Sequence, residues 1–212
     1  MVILDSKRND IGSTSKAYAK SNFEVYNADA CTLNAYLGID GVEPFLQYKE
    51  KGGFILVKTS NPSSNEFQNL FSVRLDDIPN SQTEIKIESI ILERNYIHMA
   101  RLIQEWSKNL EKFSDFNNLG AVVGATYPEE LKIIRKILPN SFFLIPGYGA
   151  QGAQAKDIKF GFNENGLGAI VNSSRGIIFA YNKQNAPPEK YAEAAKQEII
   201  DMNEKINKEI EL

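Results

Sequence analysis

Short apolar runs alternate regularly with helical patterns along this sequence, and this alternation limits the possible folds. Six runs rich in β-branched and aromatic residues end in small or polar residues, which is typical of strands in a buried sheet. They span residues 2–5, 24–34, 54–59, 119–124, 141–146 and 168–173. Their apolar residues do not alternate strictly with polar ones, so we expect a parallel sheet that is buried on both faces.

Helical patterns fill most of the intervals between these runs, with apolar residues at helical spacing or with typical start and stop residues. The predicted helices span residues 14–23, 41–51, 96–113, 127–138 and 188–211. The long interval between the third and fourth strands is the exception. There residues 83–92 predict an extra strand or an insertion, and the sequence assigns no role to residues 76–94.

Strands that alternate with helices indicate an α/β fold, either an open sheet or a (β/α)₈ TIM barrel. Polar clusters follow nearly every predicted strand, which favours the barrel, where sites are assembled from many strand ends. A barrel of about 250 residues spends roughly 31 on each βα unit. Because only six units are visible, we expect one domain over residues 1–212 that is an incomplete barrel, with strands 3 to 8 present and two N-terminal units absent.

Composition and charge exclude several classes of protein. The 24 basic and 27 acidic residues are interspersed and give a net charge of −3, so no basic stripe indicates nucleic-acid binding. No apolar run approaches the roughly 20 residues that span a bilayer, and no signal-peptide pattern is present. The single cysteine, Cys31, with one histidine cannot form a disulfide or a usual zinc site. We therefore expect a cytoplasmic protein with a small-molecule ligand and no membrane partner.

Charged residues cluster at the end of the first predicted strand. Asp5 and Lys7 are alternate residues and share one side of the strand, and Asp10 follows just beyond it. A lysine that carboxylates hold charged and in place can protonate a carbanion. A solvated strand end with a surface ion pair explains the same spacing equally well.

Glycines follow the fifth predicted strand and match G-x-G-x-x-G over residues 147–152. A dinucleotide fingerprint is disfavoured, because the next strand comes within about 20 residues and leaves little room for the crossover helix. Backbone amides of a glycine loop can still approach a phosphate, and Arg175 after the next strand can add a bidentate contact. The alternative is a glycine turn with a surface arginine.

Polar residues also end the third strand. The hydroxyl and amide groups of the run Thr59-Ser60-Asn61-Pro62-Ser63-Ser64 could bind the edge of a heterocycle, but Ser and Asn next to proline are also ordinary turn formers. His98 lies inside a predicted helix and is interpreted as a packing or surface residue. Cys31 is interpreted as a buried strand residue, and Trp106 as a residue packed on the barrel exterior.

Five segments taken together resemble the orotidine 5'-phosphate decarboxylase family, in its bacterial Asp-x-Lys-Arg-x-Asp-Ile-Gly-Ser-Thr form. They span residues 4–14, 28–38, 57–62, 146–152 and 173–175, in order over nearly the whole chain. The resemblance implies decarboxylation of orotidine 5'-monophosphate (OMP) to UMP, without a metal or an organic cofactor. It also implies a homodimer.

The resemblance implies a role for each motif. Lys7 would protonate pyrimidine C6 as carbon dioxide leaves, beside Asp5, and Asp10 would reach the partner's active site across the dimer interface. Ser60 would hydrogen-bond the pyrimidine, and the glycine loop with Gln151 and Arg175 would hold the phosphate. The implied substrate-binding residues are Thr59, Ser60, Pro146, Gly147, Gly149, Gln151, Gly152, Arg175, Ile11 and Thr14.

The resemblance also implies two earlier strands, which carry an aspartate for the ribose and a lysine that completes the charged row. This sequence begins at what resembles the third strand, so we expect the chain alone to be poorly stable or inactive. Two alternatives stay open. One is a magnesium-dependent sugar-phosphate lyase of the same barrel superfamily, and the other is an inactive phosphate-binding fragment.

Overall fold

The computed structural model describes residues 1–73, 91–149 and 152–211 of the chain. The strands in these residues are β1 Ile3–Arg8, β2 Ala30–Leu33, β3 Gly52–Lys58, β4 Phe71–Ser72, β5 Glu93–Arg94, β6 Lys112–Phe113, β7 Phe116–Asn117, β8 Leu119–Val123, β9 Phe143–Pro146 and β10 Ala169–Asn172. The α-helices are α1 Gly12–Lys20, α2 Glu43–Leu46, α3 Asn95–Trp106, α4 Pro128–Ile137, α5 Ala155–Ile158, α6 Ser174–Ile178, α7 Ala180–Lys183 and α8 Tyr191–Glu209. None of the described helices is long and apolar enough to cross a membrane.

Six of the strands form one parallel sheet in the order β1-β2-β3-β8-β9-β10. Strands that are adjacent in this sheet are also consecutive along the chain, apart from the short strands β4 to β7. Helices connect them, as in a (β/α)₈ barrel. Two short antiparallel ribbons, β4-β5 and β6-β7, lie outside this sheet. The predicted α/β fold, an incomplete TIM barrel, is confirmed.

The sheet separates two apolar cores because side chains of a strand point alternately to its two faces. In β3, Ile55 and Val57 join the larger core between the sheet and the helices, whereas Phe54 joins the smaller core on the inner face. The inner core contains Ala30, Phe54, Val122 and Leu144. Both faces of the central strands are buried, as the unbroken apolar runs predicted.

All six predicted strands are present, but the second is much shorter than residues 24–34. The chain continues α1 through a π-helical turn, Ser21–Val25, and β2 begins only at Ala30. Asn27 has a φ of +49°, a left-handed conformation that asparagine tolerates better than most residues. The turn it makes ends the helical segment and explains why the β-rich residues before it are not extended.

Two predicted helices are also shorter than the sequence indicated. The helix expected over 96–113 ends at Trp106, and a 3₁₀ turn leads into the β6-β7 hairpin. Ser114 and Asp115 connect these two strands, and Ser114 has the positive φ (+57°) that tight hairpin turns require. The helix expected over 41–51 is reduced to α2. The predicted strand at 83–92 lies almost entirely outside the described residues.

Residues without a predicted catalytic role lie as expected. Cys31 is fully buried, and burial raises the pKa of its thiol to about 11. His98 is half-buried, with its Nε2 3.0 Å from the carbonyl oxygen of Ser72. Trp106 packs against the outer core.

A buried arginine joins the N-terminal ends of β9 and β10. Arg135 is 8% exposed, and its guanidinium lies 3.6 Å from the ring centre of Phe143. Its nitrogens donate five hydrogen bonds of 2.7–3.0 Å to the carbonyls of Leu138, Ser141, Gly161 and Gly168. Burial lowers the pKa of this guanidinium to about 10. The side chain therefore connects α4 to the loops that lead into two strands.

Candidate active site

A cavity of about 760 Å³ opens at the C-terminal end of the sheet. Inner-face side chains, among them Leu56, Val122 and Leu144, form its apolar part. Its polar lining comes from the strand ends and the loops after them, including Asp5, Lys7, Thr32, Thr59, Ser60, Asn61, Ser64, Gln68, Pro146, Asn172 and Ser174. A concave site with an apolar wall and a few polar groups is the usual form of a small-molecule site.

Asp5 and Lys7 form an ion pair at the rim of this cavity. Lys7 Nζ lies 2.6 Å from Asp5 Oδ1, and the hydroxyl of Thr32 donates to the same oxygen at 2.8 Å. Burial raises the pKa of Asp5, but the hydrogen bonds from Lys7 and Thr32 and the charge of Lys7 outweigh it. The pKa of this carboxyl therefore lies below its ordinary value. Both side chains are more than half exposed, so a ligand can reach them.

The backbone at Lys7 departs from a regular strand. Lys7 has a φ of +48°, and the pairing of β1 with β2 shifts register between Leu4 and Arg8. The left-handed conformation is unfavourable for a lysine by about 1–2 kcal/mol. The amide of Lys7 donates to the hydroxyl of Thr32 at 2.9 Å, which holds this bulge. Asp5 and Lys7 thus lie on the same side of the strand, as predicted. The bulge between them is not indicated by the alternation of residues in the sequence.

The rest of the same motif lies outside the lining of the cavity. The carboxylate of Asp10 accepts a hydrogen bond of 2.8 Å from the amide of Ile11, at the start of α1. Ile11 is 56% exposed, and Thr14 is also exposed. These three residues are therefore available to another molecule rather than to the cavity of their own chain.

The segment after β3 forms one wall of the cavity. The hydroxyl of Thr59 donates to Asn61 at 2.7 Å and accepts from Gln68 at 2.8 Å, so its hydrogen is already used. Ser60 lies against Gly124, whose amide donates to the carbonyl of Lys58 at 2.7 Å. A Cβ at position 124 would lie 2.9 Å from the Cβ of Ser60, so only glycine permits this approach.

Sequence reasoning gave no role to Lys58, which also belongs to this wall. Lys58, the last residue of β3, is fully buried, and its ammonium donates to the hydroxyl of Ser64 at 2.7 Å. The ammonium also lies 4.1 Å from the ring centre of Tyr127, which follows β8. Burial lowers the pKa of Lys58, an effect that Glu130 opposes. A lysine at the end of an otherwise apolar strand was the only signal in the sequence.

The predicted phosphate loop has the backbone that its glycines suggested, but its amides are partly engaged. Gly147, Gly149 and Gly152 all have positive φ. The amide of Gly149 donates to the carbonyl of Ala153, and that of Gly152 to Gly149, both at 2.9 Å. The loop is joined to the end of β10 by a hydrogen bond of 3.1 Å from the hydroxyl of Ser173 to the carbonyl of Tyr148.

Arg175 is exposed on α6, directly after β10. Among the predicted site residues, Asp5, Lys7, Thr59, Ser60 and Pro146 line the cavity, whereas Arg175 and the loop glycines do not. Gln151 lies outside the described residues. Across the described ranges, no group of three or more His, Cys, Asp and Glu side chains is placed to hold a metal ion.

Comparisons with known proteins agree with the fold and the motifs. Residues 1–188 match the family model described as orotidine 5'-phosphate decarboxylase / HUMPS family. The chain is 43% identical over 196 residues to the orotidine 5'-phosphate decarboxylase of Caldicellulosiruptor bescii, covering 85% of this chain and 58% of the relative. It is 38% identical to that of Rhodopirellula baltica, covering 97% of this chain and 67% of the relative.

Solved structures give the same result. The structure of Leishmania donovani OMP decarboxylase superposes with a TM-score of 0.70 at 33% identity, and the match covers 95% of this chain and 67% of that one. Orotidine 5'-monophosphate decarboxylase from Methanocaldococcus jannaschii, at 21% identity and a TM-score of 0.57, shares the fold. The chain thus spans 58% to about two thirds of these curated relatives. On the match over residues 1–188 and these identities, the chain belongs to the orotidine 5'-phosphate decarboxylase / HUMPS family.

Proposed function

We propose that this chain carries the reaction centre of an enzyme that decarboxylates OMP to UMP in pyrimidine synthesis in the cytoplasm. The observation that carries the proposal is the 2.6 Å ion pair between Lys7 and Asp5 at the rim of the cavity. Membership of the family supports the choice of reaction.

The proposed chemistry needs one acid at C6. Loss of carbon dioxide leaves the electron pair of the broken bond on C6, as a carbanion with little resonance stabilisation. An ammonium stabilises that charge and then donates a proton to C6, which completes UMP. Lys7 supplies this proton and is reprotonated from water. Asp5 keeps Lys7 charged and oriented, and no metal or organic cofactor takes part.

Substrate binding is proposed for both sides of the cavity. Ser60 hydrogen-bonds the pyrimidine, while Arg175 and the loop with Gln151 hold the phosphate after the loop moves towards the cavity. Such a movement is consistent with a loop whose amides now donate within the loop. Binding energy from the phosphate, remote from C6, would then contribute to catalysis.

We also propose that the enzyme is a homodimer in which Asp10 enters the partner's site. Apolar side chains are exposed near the start of α1 and near the strand ends. Their exposure supports a dimer interface at this surface. Ile11 is 56%, Tyr36 is 74% and Phe67 is 56% exposed, and the rings of Tyr36 and Phe67 lie 6.2 Å apart. Ile11 and Thr14 would belong to this interface and border the partner's substrate.

The test is a decarboxylation assay with OMP. It uses the 212-residue chain, and the same chain preceded by an N-terminal segment that restores the two strands implied by the family resemblance. We expect turnover in the extended chain, little in the chain alone, and no change on adding EDTA. Absence of turnover in both forms contradicts the proposal, and loss of activity in EDTA favours a metal-dependent lyase instead.

A further inference from the structure

The wall of the cavity contains a buried cation, Lys58, that has no role in the proposed mechanism. Lys58 is 0% exposed, and its side chain extends from the end of β3 to the 3₁₀ turn at Pro62–Glu66. Its ammonium has one short partner, the hydroxyl of Ser64 at 2.7 Å, and a longer one, the amide oxygen of Asn65 at 3.5 Å. Within the described part of the chain, Lys58 has no carboxylate at ion-pair distance.

The direction of the short hydrogen bond fixes the role of the Ser64 hydroxyl. An ammonium has three donors and no acceptor, so Ser64 Oγ must accept. Its own hydrogen then points elsewhere. The hydroxyl of Tyr127 is 3.5 Å away, at the limit of a hydrogen bond, and is a poor competitor for it.

Ser64 is 4% exposed, yet it lines the cavity. A hydroxyl that accepts from a cation becomes a stronger donor, because hydrogen bonds in a chain polarise one another. The hydroxyl hydrogen of Ser64 is therefore available to a ligand in the cavity that Ser60 also lines. A carbonyl oxygen is the ligand group that such a donor would bind.

We propose that Ser64 donates a hydrogen bond to a carbonyl oxygen of the pyrimidine base, and that Lys58 is the positioning residue that keeps Ser64 a donor. This inference rests on the proposed function, since it takes a nucleotide as the ligand. The hydroxyl of Ser64 would then bind the base together with that of Ser60. A donor at this position would favour a carbonyl group of the base over an amino group. Lys58 acts through Ser64 and does not touch the ligand.

The test measures binding of UMP and of ribose 5-phosphate, which has the phosphate but no base, by calorimetry. Ser64→Ala is expected to weaken UMP binding about tenfold, the size of one hydrogen bond. Its affinity for ribose 5-phosphate should stay within about twofold of the parent chain. Ser114→Ala, an exposed serine in the turn between β6 and β7 and outside the lining of the cavity, is the control and should bind UMP like the parent.

Lys58→Met tests the positioning role. We expect it to weaken UMP binding to a similar extent, and the double variant with Ser64→Ala to be no weaker than Ser64→Ala alone, because both remove one linked interaction. Additive losses contradict the role of Lys58. If Lys58→Met does not fold, the comparison of Ser64→Ala with Ser114→Ala decides the base contact alone.

The outcomes separate this inference from the proposed function. If neither the chain nor its extended form binds UMP, the proposed function fails and the inference fails with it. If UMP binds but Ser64→Ala binds it as well as Ser114→Ala does, only the inference is overturned. An equal loss for both ligands also overturns it, because a merely structural residue would affect them alike.

Discussion

The two ends of the sheet hold their cations in opposite ways. At the N-terminal end, Arg135 is buried and donates five hydrogen bonds to four backbone carbonyls. At the C-terminal end, Lys7 is half exposed with a single carboxylate partner, and buried Lys58 donates to a hydroxyl that faces the cavity. A cation whose N–H donors are all hydrogen-bonded within the fold stabilises that fold. A cation with N–H donors left free can interact with a ligand, directly or through a neighbouring side chain.

The largest expected effect is on catalysis at Lys7. In the extended chain, Lys7→Ala should lower the turnover of OMP by about 10²–10⁴-fold, since it removes the general acid. It should change the free energy of unfolding by less than about 1 kcal/mol, because the ion pair is exposed. Steady-state kinetics and urea unfolding measure the two effects, with exposed Lys16→Ala as the control. A variant that keeps more than a tenth of the activity would remove Lys7 from the mechanism.

The opposite pattern is expected at Arg135. Arg135→Met should lower the free energy of unfolding by about 3 kcal/mol or more, because it leaves several buried carbonyls without a donor at about 1–3 kcal/mol each. Arg101→Met is the matched control: its ion pair with Glu93 is exposed on the arginine side, and its loss should cost at most about 1 kcal/mol. Equal losses in urea unfolding would show that the buried network adds no stability.

The smallest effect is the acid dependence of Asp5. Its pKa is lower in the folded chain than in the unfolded one, so the stability it contributes is present above the unfolded pKa of about 3.9. That stability is lost as the pH falls through the folded pKa. Asp5→Asn should reduce the loss of unfolding free energy below about pH 4 by less than about 1 kcal/mol, measured by urea unfolding at a series of pH values. Exposed Glu189→Gln serves as the comparison, and an identical acid profile for Asp5→Asn and the parent would refute the shift.

The strand positions were predictable because both faces of the sheet are buried, which leaves continuous apolar runs in the sequence. The pairing of Asp5 with Lys7 was predictable from their proximity in a strand. The bulge at Lys7 was not, because the Thr32 hydroxyl that holds it belongs to another strand. The late start of β2 and the β6-β7 hairpin also escaped prediction, since their turns depend on positive φ values at Asn27 and Ser114.

The site was predictable only where it depends on local motifs. Lys58 gave little signal because its partners come from different elements, and Tyr127 lies 69 positions along the chain. The amides of Gly149 and Gly152 donate hydrogen bonds within their own loop. The glycine spacing does not predict these hydrogen bonds, because they depend on the three-dimensional placement of the loop. The roles of Asp10, Arg175 and Gln151 stay predictions.

Gly124 carries a consequence for redesign of the cavity. A methyl group there would meet the backbone nitrogen and Cα of Ser60 at 3.0 Å, so it would displace the main chain and not only a side chain. The absence of a side chain at residue 124 thus allows the end of β8 to lie directly against Ser60. Redesign of the cavity should therefore leave this position as glycine, because even one added carbon atom would move the backbone of a residue that lines the cavity.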